Sequence, residues 1–178
     1  MSAPELSRPV KPRALPAEPL TIEANDAERA ALAQRFGVTA IPALSATIDF
    51  AKDEEAVLAN GMLTATIAQP CAVTREELSY AVEEPLALRF VPAGSLPEHA
   101  PDEEIELDSE DLDEIEYEGD SFDLGEAIAQ TLALAIDPYR EGPDADEARK
   151  KAGIVSDEDH APSGPLAEAL AGLKKDGQ

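Results

Sequence analysis

Two segments of the chain repeat apolar residues at helical spacing, and each follows a residue that can cap a helix. Asn25 precedes the first, and Glu28 three residues later completes a capping box, so a helix is predicted over 26–36. Asp123 stands at the start of the second. Counted from Leu124, residues of its apolar stripe follow at 4, 7, 8 and 11 positions. This pattern predicts a helix over 123–136.

Between these helices the apolar period changes to two, which is typical of strands with one buried face. Strands are predicted over 43–50, 57–69 and 78–91. Gly61 interrupts the second strand and predicts a bulge there, in preference to a hairpin turn. Pro85 in the third predicts a bend or a sheet edge. The predicted fold class is α+β, an antiparallel sheet of about four to six strands with the two main helices packed on it.

The 178 residues are enough for one domain with flanking segments. The predicted parts are an extended, Pro-rich basic arm (1–20), a single α+β domain (21–140) with a mobile acidic segment (about 93–120), and a flexible tail (141–178) with a short helix (165–173). An edge strand is predicted in the arm around 7–10, since proline is tolerated at a sheet edge.

Charge changes this picture, because the net charge is −24 and most of it lies in one segment. No Lys or Arg occurs between Arg89 and Arg140, while 98–126 holds fifteen carboxylates. Short alternations at 104–107 and 114–117 predict a strand with an acidic outer face. Such a surface repels phosphate and attracts cationic partners. The residues predicted to bind a partner are Glu103, Glu104, Glu106, Asp108, Glu110, Asp111, Asp113 and Glu114.

Other chemistry has less support in the residues. Arg8, Lys11 and Arg13 form a small basic cluster that offers direct RNA binding as an alternative. The acidic run breaks the calcium-loop pattern, and the glycines form no phosphate-binding motif. No catalytic, cofactor-binding or metal-binding residue is therefore predicted.

Cys71 is the only cysteine, which excludes an intrachain disulfide and a multi-cysteine zinc site. A catalytic thiol needs a base or a positive field, and Arg75 is the nearest cation in sequence. We expect a small, half-buried packing residue, with a Cys-dependent enzyme as the lesser alternative. The lone thiol fits a reducing cytoplasm, and no export signal or membrane anchor is predicted.

The order and spacing of several residues resemble those of a known family. The residues are Gly61, Gln69, Cys71, Thr74, Asp123, Leu124, Gly125 and Glu126. With the acidic segment between them, they resemble the YceD family, and more narrowly its alphaproteobacterial branch. Residues 7–10 and 28–36 also match that branch, so the resemblance covers about 5–145.

Membership would imply a role in accumulation of the large-subunit (23S) ribosomal RNA, and hence in large-subunit assembly. Members are commonly encoded beside ribosomal protein L32, and no catalytic residues are attached to the family. Many have a second cysteine shortly after the one matching Cys71, and some have a further pair near the C-terminus. Thr74 and a cysteine-free tail depart from that pattern. The resulting expectation is a non-enzymatic cytoplasmic factor that binds a basic ribosomal protein, possibly L32, or a large-subunit precursor.

Overall fold

The computed structural model of the protein describes residues 4–95 and 113–154. Its elements are β1 (Pro9–Val10), β2 (Leu20–Glu23), α1 (Asp26–Phe36), β3 (Ala40–Asp53), β4 (Ala56–Pro70), β5 (Glu77–Pro92), β6 (Asp113–Tyr117), β7 (Phe122–Asp123), α2 (Leu124–Ala135) and α3 (Ala145–Lys151). The described chain divides into two compact units. The first comprises 4–70, 77–95 and 113–138, and the second comprises 71–76 and 139–154.

The first unit is built on a five-stranded sheet in the order β2-β3-β4-β5-β6, and β1 pairs separately with β7. Alternate residues of the central strands face a single apolar core that also contains Leu32 of α1 and Ile128 and Leu132 of α2. Both helices therefore cover the same face of the sheet. This arrangement confirms the predicted α+β class.

Both main helices occur where the capping signals predicted them. In α1, Asn25 Oδ1 accepts the N–H groups of Ala27 and Glu28, and the Glu28 carboxylate accepts the N–H of Asn25 at 2.9 Å. In α2, Asp123 is the N-cap. Because these signals act over a few residues, the sequence pattern was sufficient to place both helix starts.

The predicted bulge at Gly61 is wrong. The register runs without a break through the pair Ile48–Gly61, and the only irregularity between these two strands lies between Ala40 and Ala43. An added Cβ at Gly61 would lie 2.0 Å from the carbonyl oxygen of Thr47. The glycine is needed because the neighbouring backbone approaches closely, not because a residue is inserted.

The acidic strand at 114–117 is confirmed as β6, but it pairs with β5 in parallel, whereas an antiparallel sheet was expected. Apolar alternation carries no information about strand direction, so this difference could not be predicted from it. Among the described residues, β6 pairs with β5 only from Leu88 to Pro92, which leaves Pro85 at an edge position as predicted. The alternation at 104–107 and the predicted helix at 165–173 lie outside the described residues.

Candidate functional site

The Asp123 carboxylate joins the N-terminal segment to the start of α2. Its Oδ2 accepts the hydroxyl of Ser7 at 2.6 Å, and its Oδ1 accepts the backbone N–H of Arg8 at 2.8 Å. The same Oδ1 accepts the N–H of Gly125 at 3.0 Å, which caps the helix. One side chain therefore holds together two segments that are 115 residues apart in sequence.

Leu124 and Gly125, which follow Asp123 in the Asp123–Glu126 motif, also contact the N-terminal segment. The Leu124 side chain is fully buried, and its N–H donates to the carbonyl oxygen of Arg8 at 3.1 Å. A Cβ on Gly125 would lie 2.7 Å from the carbonyl oxygen of Leu6. Glycine is required here because the backbone of the N-terminal segment lies directly against the helix start.

The fourth motif residue, Glu126, binds a cation on α1. The Arg35 guanidinium donates to both Glu126 carboxylate oxygens, at 2.7 and 2.9 Å, and to Glu5 at 3.0 Å. The hydrogen bonds from Arg35 hold the pKa of Glu126 below its usual value. The motif Asp123–Glu126 therefore anchors the N-terminal segment and α1.

The basic cluster predicted as an RNA-binding alternative is only partly available. The Arg8 guanidinium forms two hydrogen bonds to Glu28, at 2.7 and 2.9 Å, which lower the pKa of that carboxyl. Lys11 lies 3.4 Å from Asp120, and both are well exposed. Arg13 is exposed. Arg8 thus serves the fold, whereas Lys11 and Arg13 face solvent.

Ion pairing of this kind recurs across the part of the chain that is described. Carboxylates lie within 4.0 Å of the basic groups of Arg8, Lys11, Arg29, Arg35, Arg89 and Arg149. Arg89 pairs with both Asp53 and Glu114, and Arg149 pairs with both Glu141 and Asp146. These paired cations are less available to an outside anion, and acids outnumber Lys and Arg by 25 to 12 in the described residues.

The predicted partner-binding acids are placed only in part. Glu114 lies on β6 with its side chain exposed, and Asp113 begins that strand. The neighbouring Glu116 is also exposed and accepts the N–H of Gly94 at 3.1 Å, while Ile115 packs against the core. The other predicted acids lie outside the described residues. They are Glu103, Glu104, Glu106, Asp108, Glu110 and Asp111.

Gln69 has a structural role that sequence reasoning did not find. Its side chain is 4% exposed, donates to the carbonyl oxygen of Asp137 at 2.7 Å and accepts the Tyr80 hydroxyl at 3.1 Å. It thereby fastens the residues after α2 to β4 and β5. A glutamine in a run of buried strand residues was the available signal, because a buried polar group must find partners.

In the second unit, Cys71 is fully buried, so the expectation of a half-buried residue is wrong. Its sulfur accepts three backbone N–H groups, those of Val73 and Thr74 at 3.4 Å and that of Gly142 at 3.3 Å. Hydrogen bonding from the Thr74 side chain, and then from these amides, lowers the pKa of the thiol to about 7. The thiolate is stabilised by these hydrogen bonds, whereas the sequence had pointed to Arg75 as the nearest cation.

This environment predicts a pH-dependent contribution of Cys71 to stability. The folded thiol titrates near pH 7 and the unfolded one near its ordinary value of 9.0, so the thiolate stabilises the fold increasingly as pH rises from 7 to 9. The difference in melting temperature between wild type and Cys71→Ala should therefore be larger at pH 9 than at pH 6. Thermal unfolding at several pH values measures this, and a constant difference would contradict it.

The described residues lack two features, a cluster of metal-binding side chains and a membrane-spanning helix. Within residues 4–95 and 113–154, no group of three or more His, Cys, Asp and Glu side chains is arranged to hold a metal ion. None of the helices in that part of the chain is long and apolar enough to cross a membrane.

Comparison with known proteins now identifies the family. The model of the family described as "Large ribosomal RNA subunit accumulation protein YceD" matches residues 59–175, which is 117 of the 178 residues. The chain belongs to the YceD family. The search of curated proteins and the search of solved structures gave no match.

The YceD match includes every residue quoted above for the resemblance from Gly61 to Glu126, and it begins after the N-terminal segment and α1. All four residues from Asp123 to Glu126 contact segments that lie before the matched region. The family description assigns a role in accumulation of the large ribosomal RNA subunit and names no reaction.

Proposed function

We propose that this YceD protein supports large-subunit assembly in the cytoplasm by binding a basic ribosomal protein through its acidic surface. It acts without catalysis, shielding its partner from non-specific contact with RNA until the partner is placed. Ribosomal protein L32 is the first candidate to test, and a large-subunit precursor containing such a protein is the second.

The observation that carries this proposal is the excess of acids over bases in the described residues, 25 Asp and Glu against 12 Lys and Arg, together with the ion pairs described above. Ribosomal RNA offers phosphates, and a surface on which acids outnumber bases about two to one repels them, more so where the cations are held in ion pairs. A basic polypeptide offers Lys and Arg, which unpaired carboxylates attract over a distance set by the ionic strength. The excess of acids therefore favours a protein partner.

Direct rRNA binding through Arg8, Lys11 and Arg13 is the alternative. Replacing Arg8 would also break its contact with Glu28 and loosen the fold, so that variant is a poor test of RNA contact. Lys11→Ala with Arg13→Ala is cleaner, because both side chains are exposed. RNA affinity that falls steeply with salt and is lost in this double variant would favour the alternative.

The proposal predicts that five neutralising substitutions strongly weaken capture of basic proteins. The variant carries Glu103→Gln, Glu104→Gln, Glu106→Gln, Asp111→Asn and Asp113→Asn. Affinity for the partner should fall at least about tenfold at low salt, because the lost carboxylates supplied long-range attraction. The measurement is affinity capture from lysate with and without ribonuclease, followed by identification of the captured proteins.

A matched control separates location from total charge. Five exposed acids elsewhere are neutralised instead, as Glu18→Gln, Glu54→Gln, Glu55→Gln, Glu76→Gln and Glu147→Gln. This variant has the same net charge as the first and should retain binding. Equal capture by wild type and the 103–113 variant would remove the proposal, as would a captured set that disappears entirely with ribonuclease.

A further inference from the structure

The middle of the sheet face opposite the helices is open to solvent and uncharged. Exposed residues in the middle of β3, β4 and β5 include Thr47, Met62, Thr64, Pro85 and Ala87. Met62 pairs with Thr47 on one side and Pro85 on the other, and its side chain is 47% exposed. The Ser45 and Thr64 hydroxyls are 2.8 Å apart. In a chain of net charge −24, an open sheet surface of hydroxyl and methyl groups is unexpected.

Carboxylates surround this centre on the same face. Register and alternation place the following acids on it: Glu23, Asp49, Asp53, Glu83, Glu114 and Glu116. Among the described strand residues of this face, Arg89 is the only Lys or Arg, and it is bound by Asp53 at 3.1 Å and by Glu114 at 2.7 Å. The border of the face therefore carries a strong excess of negative charge.

An uncharged centre within a charged border is the usual anatomy of a protein interface. Interface centres are depleted in Lys, Glu and Asp and enriched in Met, while rims are polar. Short side chains such as Thr, Ala and Pro also lose little conformational entropy when they are covered. The face therefore meets two requirements of a docking surface.

We propose that this open face of the sheet is where the basic protein partner docks, with Met62 near the centre of contact. The inference rests on the proposed function and deepens it by naming the surface. Uncharged residues of the partner would cover Thr47, Met62 and Thr64, and its Lys and Arg side chains would reach the acidic border. The complementary charge of a ribosomal protein selects this occupant.

Two other occupants fit the face less well. A second copy of the chain would set one acidic border against another, and like charges in contact are costly. RNA would meet the same carboxylates, with Arg89 as the face's one described cation already paired.

The test places one positive charge at the centre of the face. Met62→Lys should weaken binding at least about tenfold, as expected when a central interface residue is lost and a cation faces a cationic partner. The probe is the RNA-free protein mixture extracted from purified large ribosomal subunits, with each bound protein identified and its affinity measured. Thr47→Lys, beside Met62 in register, is a second variant with the same expected loss.

The matched control is Leu134→Lys on α2, on the other side of the sheet. Leu134 is 89% exposed, so this substitution makes the same change of charge at an even more exposed apolar position. It should bind like wild type. Unchanged thermal unfolding of all three variants shows that any loss is not due to misfolding.

Selective loss of affinity in Met62→Lys and Thr47→Lys supports the docking face. Wild-type affinity in both, with loss only in the 103–113 variant, overturns the face and leaves the proposed function standing. An equal loss of affinity in Leu134→Lys also overturns it. So does the finding that wild type forms a dimer that Met62→Lys dissociates. So does the finding that wild type binds rRNA and that Met62→Lys strengthens this binding. If wild type binds no basic protein, the proposed function and this inference both fail.

Discussion

Gly61→Ala is expected to lower the free energy of unfolding by about 3 kcal/mol, a large effect for a single methyl group. The added carbon would lie 2.0 Å from the carbonyl oxygen of Thr47 and 3.0 Å from the Cα of Ile48. Both atoms belong to backbone in the centre of the sheet, so neither can move without disturbing the β3–β4 pairing. Urea unfolding followed by circular dichroism measures the change.

Gly119→Ala is the matched control. Gly119 has a φ of +85°, and no atom lies within 4 Å of an added Cβ. Its substitution should cost only the backbone strain of a left-handed residue, roughly 1 to 2 kcal/mol. If Gly61→Ala is no more destabilising than Gly119→Ala, then β3 and β4 do not approach each other at Gly61 as closely as in this structure.

Asp123→Ala is expected to lower the free energy of unfolding by about 2 to 3 kcal/mol. The substitution removes a helix cap, which is worth about 1 kcal/mol, and the hydrogen bonds from Ser7 and from the N–H of Arg8. Because those bonds hold the N-terminal segment, the variant should also become more sensitive to protease near residues 6–10. Denaturant unfolding and timed proteolysis with mass analysis measure the two effects.

The control for this variant is Asp120→Ala. Asp120 is three residues away and exposed, and its carboxylate lies 3.4 Å from the Lys11 ammonium group. An exposed pair of this kind contributes less than about 1 kcal/mol. Equal stability and equal protease sensitivity in Asp123→Ala and wild type would contradict the docking of the N-terminal segment on the motif.

The sequence predicted those features that depend on neighbouring residues. The capping box of Asn25 and Glu28 placed α1 at its observed bounds, and the period-two pattern found β3, β4 and β5. Features that depend on distant residues were missed. The role of Gly61 depends on Thr47 in the neighbouring strand β3, and the direction of β6 depends on how it pairs with β5.

The candidate site shows the same contrast between features set by neighbouring residues and features set by distant ones. The acidic segment and the basic cluster were visible as charge, but the engagement of Arg8 by Glu28 and of Arg35 by Glu126 was not. The surroundings of Cys71 depend on Gly142, which lies 71 residues further along the chain. Sequence alone gives the charges of such groups, whereas the fold decides which of them are paired.

The pairing of charged side chains also connects the fold to the proposed function. The motif residues from Asp123 to Glu126 are occupied in holding the N-terminal segment and α1. The carboxylates that remain exposed, on the open sheet face and along β6, are those available to a partner. These carboxylates are the basis of the proposal that the protein holds a cationic polypeptide in preference to RNA.

The most direct test is to measure binding of the purified protein to RNA-free large-subunit proteins and to naked 23S rRNA, side by side at two salt concentrations. The account predicts binding of one or more basic proteins, weakened by salt, and no binding of rRNA at either concentration. Binding of rRNA with no affinity for any large-subunit protein would contradict it.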